Sequence, residues 1–138
     1  MRDVMETNIY DVESTIIIVG SCLKYMQPKG FKQLQMISEN IYELCLEKTH
    51  INMAVTKIGG MLRTGKINKI IFATVDKSPR CIQMHYIQDE LRKMMNIDHI
   101  DIKNYVIVDN KLEEISADII SMSKSLLSLK QNNIKASS

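Results

Sequence analysis

The stretch Thr15-Ile16-Ile17-Ile18-Val19, which ends at Gly20, decides the fold class. Four of its residues form an uninterrupted β-branched apolar run. A strand with one solvated face alternates polar and apolar residues, whereas a continuous apolar run is typical of a strand covered on both faces of a parallel sheet. The stretch therefore predicts a central, fully buried strand.

Two later segments predict neighbouring strands. Residues 69–75 read Lys-Ile-Ile-Phe-Ala-Thr-Val, and in residues 104–108 a run of four apolar residues follows Asn104. The pair Asp109-Asn110 is typical of a tight turn, so residues 111–114 are expected to return as a short antiparallel strand.

Between these strands the apolar residues recur at helical spacing. Apolar residues three and four apart predict one helix over residues 31–48 and a second from Ile51 to Leu62, which Gly65 would terminate. Ser78 as N-cap followed by Pro79 predicts a helix over residues 79–95.

Ser116 is the expected N-cap of a last helix. Its predicted buried side carries apolar residues at helical spacing. These are Ile119, Met122, Leu126 and Leu129.

Strand, two helices, strand, helix, strand, helix is the order expected of an α/β fold. We predict a single three-layer domain over residues 15–130, with a small, mainly parallel sheet of three to four strands and helices on both faces. Residues 1–14 are expected to form an N-terminal arm or edge element, and residues 131–138 a frayed tail. A sheet this small predicts that the arm or a second subunit completes an edge. Completion by a second subunit would make a homo-oligomer.

Composition narrows the function classes. The 138 residues carry 18 basic and 16 acidic side chains, a net charge of +2, which is too balanced for a dedicated nucleic-acid binder. No apolar run exceeds four residues, far below a membrane span. Three cysteines and no secretory leader indicate a reducing, cytoplasmic location.

Two loops are expected to meet at one edge of the sheet. Gly20-Ser21-Cys22 follows the first strand, and residues 76–81 follow the second. Ligands of open α/β sheets bind beyond the carboxyl ends of the strands, where the strand order reverses. These loops are therefore the candidate site.

Cys81 is the candidate reactive thiol. As the third residue of its predicted helix it would lie near unpaired amides and the positive helix end, with Lys77 and Arg80 close in sequence, and both effects favour the thiolate. His85 lies one turn later on nearly the same face, where we expect it half-buried and reachable as proton or charge partner. Cys22 would face them as a resolving thiol, which completes a candidate catalytic set.

The same side chains permit a metal site. Cys22, Cys81 and His85, with Asp76 or water, would complete a zinc tetrahedron, and cysteines of two subunits would hold an iron–sulfur cluster. The Cys-x-x-x-His spacing alone is a weak signal for either metal.

A small anionic ligand is the third hypothesis. Ser78, the first amides of its helix, Lys77 and Arg80 would hold the anion, with Ser21 on the facing loop. The first loop lacks the G-x-G-x-x-G dinucleotide motif, and no P-loop motif occurs in the chain.

Two plainer interpretations stay open. Cys22 and Cys81 would be packing residues and His85 a solvated helix residue, while Cys45 is expected on the buried face of the first helix. Alternatively, the protein is a non-catalytic oligomeric interaction module that binds a partner through a helix face or a sheet edge.

Overall fold

The structure is a computed structural model that describes residues 2–76, 78, 82–127 and 130–131. The strands are β1 (Arg2–Asp3), β2 (Ser14–Gly20), β3 (Ile41–Leu44), β4 (Ile67–Val75), β5 (Asp101–Val108) and β6 (Lys111–Glu114). The helices are α1 (Leu23–Met26), α2 (Pro28–Ile37), α3 (Ile51–Arg63), α4 (Ile82–His85), α5 (Ile87–Met94) and α6 (Ala117–Met122). Two short 3-10 helices, Val4–Glu6 and Ile9–Asp11, lie between β1 and β2.

Within the described residues the strands form one six-stranded sheet in the order β1-β3-β2-β4-β5-β6. The first five strands are parallel, and β6 returns antiparallel to β5. The α/β class and the mainly parallel sheet are thus confirmed, with six strands instead of three to four.

Both faces of the central strand are buried, as its apolar run predicts. Ile16 and Ile18 pack with α3 and α5 on one face, whereas Ile17 and Val19 pack with α2 on the other. All four side chains are fully buried. Helices therefore cover the sheet on two sides, which gives the three layers.

The strand order reverses beside β2. The chain runs from β2 to β3 on one side, then crosses β2 to β4 on the other side and continues outward to β5. In doubly wound sheets the crevice at such a reversal is the usual ligand site. Here it lies between the carboxyl ends of β2 and β4.

The N-terminal segment supplies an edge strand of the sheet. Arg2 and Asp3 pair in parallel with Tyr42 and Glu43 of β3. The Arg2 guanidinium also donates to the Tyr42 hydroxyl at 2.9 Å and lies 4.9 Å from the centre of its ring. The N-terminal segment therefore completes one edge of the sheet.

The helix predicted over residues 31–48 is wrong beyond residue 37. The chain turns at Ser38, whose hydroxyl donates to the Thr15 carbonyl at 2.7 Å, and Asn40 donates to the Glu13 carbonyl at 3.1 Å. These bonds align the next residues with β2, so Ile41–Leu44 form a strand instead of continuing the helix.

Two other helices differ from their predictions. Over residues 79–95 the described part is divided at Tyr86, whose amide bonds the Gln83 carbonyl in a tighter i to i−3 pattern. In the last helix Ser116 is the N-cap, as predicted. However, Ile120 is the buried residue there, whereas Ile119 and Leu126 are exposed.

The turn signals are confirmed. Gly65 follows α3 with a φ of 77°, the left-handed conformation that favours glycine, and Asp109 and Asn110 both have positive φ in the β5–β6 hairpin. The Asn110 carboxamide oxygen accepts the amides of Lys29 and Gly30 at 3.1 and 3.4 Å. A residue of the last hairpin thereby caps α2.

Among the described residues no helix has the length and apolar character that a membrane span requires. The domain limits at residues 14 and 130 stay predictions, and all of the predicted tail except Gln131 lies outside the described residues.

Alanine at Gly30 tests the packing between α2 and the sheet, and alanine at Gly60 of α3 is its control. An alanine Cβ at Gly30 would lie 2.5 Å from Cγ2 of Ile107, a buried β-branched side chain with little freedom to move. We expect Gly30→Ala to lower the free energy of unfolding by about 1–3 kcal/mol through overpacking. Urea denaturation measures it.

Gly60→Ala is the control, because its Cβ would meet Ile9 at an ordinary 3.5 Å within α3. This variant should gain roughly 0.5–1 kcal/mol from the better helix former. Equal changes in the two variants would contradict the contact with Ile107.

Candidate functional site

The loops after β2, β3 and β4 surround a cavity of about 170 Å³ at the reversal point. We call it the Cys22 cavity. It is lined by Ser21, Cys22, Leu44, Cys45, Leu46, Glu47 and Ser78.

A second cavity of about 270 Å³ opens beside α4, at the carboxyl end of β4. We call it the His85 cavity. It is lined by Thr74, Val75, Asp76, Ser78, Ile82, His85 and Val106. Because Ser78 lines both cavities, the two adjoin at this residue.

The structure brings Ser21, Cys22 and Ser78 together around the Cys22 cavity. Cys22 and Ser78 are half-buried and make further interactions. Lys77, Arg80 and Cys81 lie outside the described residues, so the roles predicted for them stay predictions.

Cys45 differs from its sequence interpretation. The helix on which it was expected ends at Ile37, and Cys45 directly follows β3. It is half-buried and lines the same cavity as Cys22. The register that pairs Gly20 with Leu44 explains this placement, since both cysteines come within two residues of that pair.

His85 is also more buried than predicted. Its exposed fraction is 3%, where a half-buried or solvated side chain was expected. Nε2 lies 2.8 Å from the Thr74 hydroxyl, and Nδ1 lies 2.9 Å from the Asn104 carboxamide oxygen. Desolvation by burial lowers the pKa of His85 below its ordinary 6.5, and the bond to Asn104 offsets part of that effect.

The bond from Asn104 to Gln88 defines which ring nitrogen carries the proton. Asn104 Nδ2 donates to Gln88 Oε1 at 2.9 Å, so its Oδ1 faces the imidazole as an acceptor. His85 Nδ1 therefore donates, and Nε2 accepts from the Thr74 hydroxyl. Gln88 is fully buried, and its Nε2 has no hydrogen-bond partner among the described residues.

Thr74, Gln88 and Asn104 were not among the candidate residues predicted from the sequence. A signal was present, since each of them interrupts an apolar pattern, on β4, on α5 and on β5 respectively. Buried polar groups need partners, so polar residues at such positions indicate that they bond to one another.

Metal binding gains no support from the described residues, in which no group of three His, Cys, Asp or Glu side chains is arranged to hold an ion. The predicted site of Cys22, Cys81 and His85 includes a residue outside that set. Coordination by His85 would require its ring to give up the bond to Thr74 or to Asn104.

The fold and its crevice define a doubly wound α/β domain, a class in which ligands usually bind at the reversal of strand order. The chain matches a family model described as a Rossmann-like domain over residues 12–138, and it belongs to that family. No curated protein and no solved structure matches the chain.

The burial of His85 predicts how stability depends on pH. Its folded pKa lies below its unfolded pKa, so the unfolded chain binds more protons at acid pH. The contribution of a neutral His85 is therefore full above about pH 6.5 and is lost as the pH falls toward its folded pKa. We expect His85→Gln to flatten the slope of unfolding free energy against pH below about pH 6.5.

His99→Gln removes an exposed histidine and is the matched control. It should keep the slope of the unmodified protein, measured by urea denaturation at each pH. An unchanged slope in His85→Gln would show that His85 does not carry the effect.

Proposed function

We propose that this Rossmann-like domain binds a small anionic ligand in the Cys22 cavity. The observation that carries the proposal is the meeting of three loops around that cavity, at the point where the strand order reverses. This is the usual ligand position in doubly wound sheets.

The size of the cavity favours a compact ligand. Its volume of about 170 Å³ is below the roughly 300 Å³ at which pockets for drug-sized molecules begin. Leu44 and Leu46 supply an apolar wall, and the hydroxyl-bearing Ser21 and Ser78 supply polar groups. A phosphate, a small carboxylate or the phosphate end of a mononucleotide suits a cavity of this size and lining.

Binding of an anion needs positive charge, which the loop after β4 contains in its sequence. Glu47 and Asp76, which line the two adjoining cavities, are both acidic. We therefore assign the attraction for an anion to Lys77 and Arg80, the cations on either side of Ser78 in the sequence. The specific proposal is that Lys77 and Arg80 bind the anion.

Thermal unfolding with inorganic phosphate, malate, AMP or uncharged glycerol tests it. A ligand at about a hundred times its Kd adds about 2.7 kcal/mol to stability. We expect at least one anion, but not glycerol, to raise Tm, and the double variant Lys77→Ala/Arg80→Ala to lose that response.

The matched control is Lys32→Ala/Arg92→Ala, which removes two exposed cations on α2 and α5. It should respond as the unmodified protein does. A response to no anion, or an equal response in both double variants, would overturn the proposal.

Thiol chemistry is the second candidate function, favoured by the position of Cys22 and Cys45 on one cavity. A thiolate of Cys22 would attack the disulfide of oxidised glutathione and release one glutathione thiol. A second cysteine thiolate would displace the other glutathione and leave a protein disulfide. Cys45 and the sequence candidate Cys81 are the two choices for that second thiol.

Oxidised glutathione followed by intact-mass analysis separates these choices. We expect the protein to lose two hydrogens, and Cys22→Ser to prevent that loss. Retained oxidation in Cys45→Ser would identify Cys81 as the second thiol, and retained oxidation in Cys81→Ser would identify Cys45. Glutathione on all three cysteines without a disulfide would contradict the pairing.

A further inference from the structure

Thr74, His85 and Asn104 form a line of hydrogen bonds that begins at the His85 cavity. Thr74 and His85 line the cavity, the first from β4 and the second from α4. Asn104 of β5 holds the far side of the imidazole. The Thr74 hydroxyl and Nε2 are 2.8 Å apart, and Nδ1 and the Asn104 oxygen are 2.9 Å apart.

This arrangement is that of a nucleophile, a base and a group that orients the base. The Thr74 hydroxyl donates to a neutral Nε2, so the proton of the hydroxyl already points to its acceptor. Because Asn104 Oδ1 accepts from Nδ1, the tautomer that leaves Nε2 free to take a proton is the one held in place.

The line also carries an energetic cost. A buried histidine, and an amide nitrogen of Gln88 that has no partner among the described residues, each disfavour folding relative to an apolar core. Departures of this kind from apolar packing are expected where a protein maintains a functional group. The cost falls beside a cavity that both Thr74 and His85 line.

We propose that Thr74 is a nucleophile for acyl transfer from small esters or thioesters, with His85 as general base and Asn104 as the residue that positions it. The cavity sets the substrate class. Its apolar walls, Val75, Ile82 and Val106, and its volume of about 270 Å³ suit a short uncharged acyl chain. The Asp76 carboxylate on the same lining disfavours a negatively charged acyl group.

The bonds and protons balance in two steps. The Thr74 oxygen bonds to the acyl carbon while its proton passes to His85 Nε2, and the alcohol or thiol leaves with that proton. Water then attacks the acyl-threonine ester and gives a proton to Nε2, which returns it to the Thr74 oxygen. The products are a carboxylic acid and the alcohol or thiol.

The test is acylation by p-nitrophenyl acetate and p-nitrophenyl butyrate, followed by p-nitrophenol release and by peptide mapping. In the unmodified protein we expect an acyl group on Thr74. In Thr74→Val we expect the rate of p-nitrophenol release to fall about a hundredfold or more. Thr7→Val is the matched control, since Thr7 is also buried and its hydroxyl donates to the Asp3 carbonyl at 2.7 Å. It should react as the unmodified protein does.

Thr74→Ser covers the case in which the valine variant does not fold, because it retains a hydroxyl, and an acyl group is then expected at position 74. The pH profile tests the role of Asn104. In the unmodified protein the rate of Thr74 acylation should fall at acid pH with a midpoint below 6.5. Asn104→Asp should move that midpoint upward, since a carboxylate beside Nδ1 favours the imidazolium.

Acyl groups on cysteines and lysines alone, with none at position 74, would overturn the proposal. An unchanged pH midpoint in an active Asn104→Asp variant would contradict the role of His85 as the base. Neither result bears on anion binding in the Cys22 cavity, which Lys77→Ala/Arg80→Ala tests separately.

Discussion

The double burial of β2 is the constraint on which the rest of the structure depends. Its four central side chains are fully buried, two on each face, so each face must be covered by helices. Its backbone must also find partners on both edges, which β3 and β4 supply. Because β3 and β4 follow β2 on opposite sides, the crevice at their carboxyl ends results from the same constraint.

Local pattern was sufficient for β2, β4, β5 and α3. It failed at β3, because Ile41 and Leu44 continue the spacing of three and four that begins at Phe31. What separates α2 from β3 is tertiary: Ser38 and Asn40 bond to the carbonyls that flank the start of β2. A sequence window cannot contain those partners, which lie 23 and 27 residues away.

The candidate site was also predicted only in part. The loops after β2 and β4 follow from the fold class, and Ser21, Cys22 and Ser78 do line one cavity. Cys45 was missed with β3, on which its position depends. The burial of His85 was missed because a histidine on a helix is buried only when other elements supply bonds to both ring nitrogens, here Thr74 of β4 and Asn104 of β5.

The contact between α2 and the last hairpin links the order of synthesis to the order of folding. Gln27 Oε1 accepts the Asn110 amide at 2.8 Å, and Gln33 donates to the Asn110 carbonyl at 2.9 Å, so α2 is held at its start by a residue about eighty positions later. On the ribosome, α2 emerges long before this partner and has no side-chain cap of its own. α2 is thus among the last elements to be fixed, and a chain truncated before the hairpin would lack all of these bonds to α2.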